Sequence, residues 1–184
     1  MKASNTDERL MQLVGRGDHE AFRELYGRHA RRLQGFFLRM LEHDSDKAAD
    51  FTQELFMKVY EQRRRFDARQ SDFTTWLYAM AYNLCKNEYR HLEIVRTHRD
   101  ELIGRNENSI PEKECNYDKE QRRNRLRKSI ASLPTEQRDA FILRYQEELS
   151  VKEIAHILDV PEGTVKSRLH YALLKVQKEM KPFK

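Results

Sequence analysis

The stretch SVKEIAHILDVPEGTVKSRLHYALLKV, residues 150–176, decides how this chain is read. Ser150 and Glu153 stand in the S-x-x-E spacing of a capping box, in which each side chain takes a backbone N–H at the start of a helix. Ile154, Ala155 and Leu158 form the inward face of a short helix that follows. Asp159-Val160-Pro161-Glu162-Gly163 is a tight turn, and a second helix runs from Pro161 or Glu162 to about Met180. Ala155 is small where two helices approach closely, and Ile154, Val160, Val165 and Leu169 are placed to lock their crossing. These are the features of a helix-turn-helix, whose second helix lies in the major groove with its N-terminal residues toward base edges. Here those residues are Glu162, Thr164, Lys166, Ser167, His170 and Tyr171. Lysine reaches guanine acceptors or phosphate, and serine and threonine hydrogen-bond to either. A helical hairpin with an exposed basic face is the competing reading. The coincidence of cap, small residue, turn and basic helix favours the duplex reader.

Charge supports a polyanion partner for this end of the chain. Of 184 residues, 35 are Lys or Arg and 30 are Asp or Glu, for a formal charge of +5 and a mean hydropathy of −0.91. The surplus is uneven. Residues 1–90 carry 16 bases and 14 acids, residues 91–120 carry 5 and 8, and residues 121–184 carry 14 and 8. A basic C-terminal third fits nucleic acid, although a merely solvated set of helices would carry a similar excess. No stretch approaches the roughly 18–20 apolar residues that cross a bilayer, and MKASNTDERLMQ has no apolar core of a secretory signal. The expectation is therefore a reduced cytoplasmic protein without membrane insertion. Cys85 and Cys115 form no C-x-x-C pair, so neither a disulfide framework nor a structural zinc is expected. Cys85 reads as a packed thiol and Cys115 as an exposed one.

Upstream, the apolar residues recur at helical spacing. Thr6 caps a short helix to about Val14, ended by Gly15-Arg16-Gly17, and Asp18 opens a long one. Phe22, Leu25, Tyr26, Leu33, Phe36, Phe37, Met40 and Leu41 form its apolar stripe. A third helix runs from about Ser45 to Arg63 on Ala48, Phe51, Leu55, Phe56 and Val59. The polar, basic loop Arg64–Asp72 precedes a fourth, whose face is Phe73, Trp76, Leu77, Met80, Ala81 and Leu84. Periodicity lapses from His98 to Asp118. A helix from about Lys119 to Ala131 follows, then a Leu133-Pro134-Thr135 break with a fresh N-cap, and a helix ending near Glu148. Around twenty residues without pattern inside one domain are unusual, which favours two. The expected fold is all-α: helical domains at 1–96 and 119–184, joined by an acidic linker at 97–118, the C-terminal one a helix-turn-helix.

With these blocks in place, the chain resembles the sigma factors of bacterial RNA polymerase, of the compact extracytoplasmic-function (ECF) group. The resemblance rests on Leu133-Pro134 with EQRDAFILRY at 136–145, on the segment 150–176, and on AFRELYGRHARRLQGFF at 21–37. It rests also on AADFTQELFMKVYEQ at 48–62 and FTTWLYAMAYNLCKNEYR at 73–90. Their order, with an acidic connector between, is more specific than any one block.

The resemblance implies a non-enzymatic factor without a cofactor, which binds core polymerase, opens promoter DNA and supplies specificity while the core performs nucleotidyl transfer. It implies that the helix Ala48–Gln62 docks on the clamp helices of the largest catalytic subunit. Asp50, Gln53, Glu54, Met57 and Lys58 lie off the apolar stripe and are free to form that surface; an exposed Met beside polar groups suits a helix-in-groove contact. It places −10 recognition on the loop and the following helix, where unstacked bases are held by stacking and by hydrogen bonds to their edges. Phe66, Asp67, Arg69, Gln70 and Ser71 are the pocket candidates, and Asn83, Lys86, Asn87 and Arg90 form a polar stripe for strand or phosphate. Trp76, on the apolar face, reads as core before it reads as a stacking platform. Helix 161–175 resembles the −35 reader, with Thr164, Lys166, Ser167, His170 and Tyr171 toward bases and Arg168 toward the backbone. The linker, with six acids against Arg105 and Lys113 between Asp100 and Asp118, fits either a nucleic-acid mimic in a basic channel or a solvated tether. An anti-sigma factor, membrane-bound in some members, is the further partner implied.

Three other readings stay open on sequence. An autonomous helix-turn-helix regulator would dimerise and grip its operator without polymerase. A structural adaptor would share the docking helix but not need the reading helix. A helical enzyme would need a legible site, and neither H-E-x-x-H spacing nor a glycine-rich phosphate loop occurs.

Overall fold

The computed structural model describes residues 5–41, 43–99 and 117–180. Among them the chain forms α1 Asp7–Gly15, α2 His19–Met40, α3 Ser45–Glu61, α4 Phe73–Arg99, α5 Tyr117–Ala131, α6 Thr135–Tyr145, α7 Val151–Leu158 and α8 Glu162–Met180. Two compact units divide the chain, the first holding α1 to α3 with the greater part of α4, the second most of α5 to α8.

In the first unit the helix starts follow from their caps. Thr6 Oγ1 accepts from the Arg9 N–H at 3.2 Å, and Asp18 Oδ1 accepts from Glu20 and Ala21 at 2.9 and 3.0 Å. The turn between them uses Gly17 at φ +95°, a conformation that suits glycine. Asp44 caps α3 through the Lys47 N–H at 3.0 Å. α2 packs on both α1 and α3. The core is Leu10, Met11 and Val14 from α1, Leu25, Leu33, Phe36 and Phe37 from α2, Leu55 and Val59 from α3, and Phe73, Leu77, Tyr78 and Ala81 from α4. Phe36 meets the Phe37 ring at 5.6 Å and the Tyr78 ring edge-on at 5.3 Å. Lys47 Nζ pairs with Glu88 at 2.6 Å and Tyr89 Oη donates to the Met40 carbonyl at 2.9 Å, tying α4 to the other helices.

Several expected details differ. α3 stops at Glu61, two residues short of Arg63, with Gln62 as its C-cap. Tyr26 lies at the rim of the α2 stripe and is exposed, while Trp76 and Met80 are only half-buried. Tyr78, Thr75 and Cys85, off the expected α4 face, are buried. α4 runs on to Arg99 and α5 begins at Tyr117, so both helices enter the expected connector. Its residues 100–116, Cys115 among them, lie outside the described residues.

In the second unit α8 packs on α5 and α6 around Leu133, Phe141, Ala172 and Val176, with Ile130, Leu173 and Met180 against them. Pro134 occupies the cap position of α6 and makes no side-chain cap bond, contrary to the expected fresh N-cap. α6 ends at Tyr145 rather than near Glu148, because Glu148 turns left-handed at φ +60° and returns Leu149 to the interior. The capping box is formed reciprocally: Ser150 N–H donates to Glu153 Oε2 at 2.7 Å and Glu153 N–H to Ser150 Oγ at 3.2 Å. Ile154, Ile157 and Leu158 are the buried residues of α7, and Ala155 is half-buried.

α7 closes in a Schellman turn. Val160 N–H bonds to the Ala155 carbonyl at 3.0 Å and Asp159 N–H to that of His156 at 3.4 Å, with Asp159 left-handed at φ +53°. Glycine fits that conformation without the Cβ clash an L-residue carries. Asp159→Gly should therefore stabilise the protein by about 0.5–1 kcal/mol, read by thermal or urea unfolding of the full chain. A lowered midpoint would contradict this account of the turn.

Candidate nucleic-acid interface

α8 has two faces. Val165, Leu169, Ala172 and Val176 are buried at helical spacing and hold the helix in its unit. Lys166, Ser167, His170 and Tyr171 are exposed on the other side. The Lys166 ammonium is 3.9 Å from Glu162 one turn earlier, a loose and exposed pair that gives way readily to another anion. Ser167 Oγ donates to the Thr164 carbonyl at 2.9 Å, and Thr164 itself is half-buried. The His170 and Tyr171 rings meet at 5.6 Å, and the tyrosine is 60% exposed.

Arg168 departs from this set. Its guanidinium donates to Glu136 Oε2 of α6 at 2.7 Å, and its side chain is 18% exposed. Position 168 flanks the buried seam between Val165 and Leu169, so the side chain is carried toward α6. In this structure it ties the two helices together.

The loop between α3 and α4 is similarly part anchor and part surface. Phe66 packs on Phe73 at 5.8 Å and on Trp76 at 5.4 Å, ring centre to ring centre. Half-buried on these two rings, it is the hydrophobic foot of the loop. Asp67 Oδ1 accepts from the Arg69 N–H and Nε at 3.0 Å each, and Oδ2 accepts from Arg69 Nη2 at 2.9 Å and Gln70 Nε2 at 3.4 Å. Hydrogen bonds from the Arg69 side chain, then from its backbone, hold the Asp67 carboxyl well below the usual carboxylate range. The pair raises the Arg69 guanidinium in turn. Asp67 and Arg69 thus shape the loop through each other, leaving Gln70 exposed and Ser71 half-buried. Beyond the loop, Asn83, Lys86, Asn87 and Arg90 are all exposed along α4, beginning about 15 Å from its start.

On α3, Asp50, Gln53, Glu54 and Met57 are exposed, Met57 by 64%, and Lys58 is half-buried and paired with Glu54 at 3.3 Å. The structure adds a groove between the two apolar stripes. Phe22 and Tyr26 of α2 meet Phe56 at 6.2 and 4.7 Å, and with Met57 and Tyr60 they line an apolar groove of about 430 Å³. Tyrosine at the flank of an apolar stripe, with a polar tip to leave in water, is the one signal in sequence that pointed to it. Among the described residues no group of His, Cys, Asp and Glu is arranged to hold a metal, and no helix is long and apolar enough to cross a membrane.

An all-helical chain whose second unit presents a polar reading helix across a capped turn has the form of a duplex-reading protein. The comparisons with known proteins agree. The profile for "Sigma-70 region 2" matches residues 25–93 and that for "Sigma-70, region 4" matches residues 123–176. The RNA polymerase sigma-H factor of Pseudomonas aeruginosa is 31% identical, over 99% of this chain and 97% of its own. The ECF RNA polymerase sigma-E factor of Escherichia coli is 32% identical, over 99% and 98%. Among solved structures, the sigma factor RpoE of Bartonella quintana, in complex with the anti-sigma factor NepR, superposes with a TM-score of 0.70 at 23% identity, over 89% of this chain and 98% of its own. CnrH in complex with the cytosolic domain of CnrY gives a TM-score of 0.68 at 20% identity, over 95% and 96%. The chain belongs to the ECF group of RNA polymerase sigma factors. It acts with RNA polymerase in promoter recognition and transcription initiation.

Proposed function

We propose that the two units divide this task. The N-terminal domain, residues 1–96, docks on core polymerase through Asp50, Gln53, Glu54, Met57 and Lys58 and captures the −10 element. Gln70 and Ser71 meet the unpaired bases, Phe66, Asp67 and Arg69 hold the loop in shape, and Asn83, Lys86, Asn87 and Arg90 follow the strand. The C-terminal domain, residues 119–184, reads the −35 element with Thr164, Lys166, Ser167, His170 and Tyr171, while Arg168 fixes the angle of the reading helix. Residues 97–118 connect them. The factor performs no chemistry of its own and works in the cytoplasm. An anti-sigma factor is a further partner, a reading supported by the RpoE–NepR complex, whose sigma chain shares this fold.

The observation that carries the −35 assignment is the partition of the first three turns of α8, with Val165, Leu169 and Ala172 buried and Lys166, Ser167, His170 and Tyr171 exposed together. Lys166→Ala should weaken holoenzyme binding to a −35-dependent promoter by about 1–3 kcal/mol and relax preference at one base pair. Affinity unchanged at every base pair would remove Lys166 from the reading face. More broadly, core polymerase carrying this factor should initiate at new start sites on genomic DNA. A run-off assay without any would reject the function.

A further inference from the structure

We propose that α1 is the positioning element of the −10-reading loop, with Glu8 as its principal residue. The proposal rests on the assignment of that loop to −10 recognition. The loop leaves α3 at Gln62 and enters α4 at Phe73, and α1 touches both ends. At the exit, Glu8 Oε1 accepts the Phe73 N–H at 3.1 Å across 65 positions of sequence. This amide is one of the first N–H groups of α4, which have no partner within their own helix, and a carboxylate there also meets the positive end of the helix dipole. At the entrance, a Cβ on Gly15 would stand 3.5 Å from the Arg63 carbonyl, so the C-terminal end of α1 lies in contact with the chain as it leaves α3.

A second line of contact runs through the rings. Asp7 Oδ2 lies 2.6 Å from His29 Nε2, and its other oxygen takes the Arg28 guanidinium at 2.6 Å. The His29 ring stands edge-on to Phe73 at 5.5 Å, and Phe73 carries Phe66, the foot of the loop. Two adjacent acids of α1 therefore act on the same residue, one on its backbone and one on the surface its ring rests against. Phe73 is fully buried, so a shift of α1 moves the foot of the loop and with it Gln70 and Ser71. None of these residues lies on the exposed face of α3, and that separates positioning of the loop from docking on the core.

The test uses full-length factor assembled with core polymerase. Glu8→Ala removes the acceptor, and Glu8→Gln keeps a carbonyl oxygen in its place. Core affinity, open-complex formation on duplex promoter, and the ranking of single-base −10 variants are measured for each. With Glu8→Ala, open-complex formation should fall about tenfold and the −10 ranking should change, while core affinity stays within about twofold. Glu8→Gln should restore both promoter readouts to within about twofold of the parent. If Glu8→Ala leaves opening and ranking intact, or if core affinity falls in proportion with opening, α1 is a structural helix only and the proposal fails. Gln70→Ala and Ser71→Ala separate this from the underlying reading. If they leave the −10 ranking unchanged, the loop assignment fails; if they alter it and Glu8→Ala does not, only the role of α1 fails.

Discussion

Phe36→Ala should lower the unfolding free energy of the N-terminal unit by about 3–5 kcal/mol, the cost of a large aromatic removed from a fully buried site. Phe36 is fully buried, and it bridges two helices by touching Phe37 beside it and the edge of Tyr78 on α4. The lost transfer energy, the remaining cavity and the two aromatic contacts all act in one direction. Set against a total of about 5–15 kcal/mol for a domain, that loss places the unit near its folding threshold. Urea unfolding followed by far-ultraviolet circular dichroism should show an early transition from one unit with the other retained. A fall below about 1.5 kcal/mol would mean the site repacks, as volume-conserving swaps do.

Met57→Ala should instead leave the fold alone and weaken association with core polymerase by about 2 kcal/mol, roughly thirtyfold in Kd. Met57 is 64% exposed, so its truncation removes little packing, and alanine favours the helix at least as well. It lines the apolar groove together with Tyr26, Phe56 and Tyr60, with Gln53 and Glu61 also on its wall. A flexible apolar side chain at such a site fits a helix laid across it, and the polar rim excludes water around the contact. Competition with the parent factor for a limiting amount of core gives the ratio directly. An unchanged Kd together with an unchanged melting temperature would move the docking surface off α3.

The helices themselves are legible in the sequence because burial imposes a period. The α2 residues Leu25, Leu33, Phe36, Phe37 and Met40 are buried where their spacing puts them, and the Ser150–Glu153 box forms as written. Contacts without a period are not legible. The packing of Phe66 on Phe73 and Trp76 follows no period in its basic loop. Arg168 looks like one more cation on a reading helix, yet Glu136, 32 residues away, claims it. The Asp67–Arg69 pair depends on loop curvature, and the Glu8–Phe73 bond on how α1 lies across the start of α4; no local pattern encodes either. At the candidate site, residue type and exposure could be read for α8 and for the α4 stripe. Which polar groups already had partners could not.

The alternation along α8 has a consequence for how such factors diversify. One helix carries two interleaved texts, Val165, Leu169, Ala172 and Val176 turned to the interior, and Lys166, Ser167, His170 and Tyr171, the proposed readers, turned outward. Because the two sets share no position, either can be revised without rewriting the other. Exchanging the four outward residues for those of another reader should retarget the factor while its melting temperature stays where it was. Preference at the −35 element is then open to change through a few exposed substitutions, while the loop between α3 and α4 and the Arg168–Glu136 tie stay as they are.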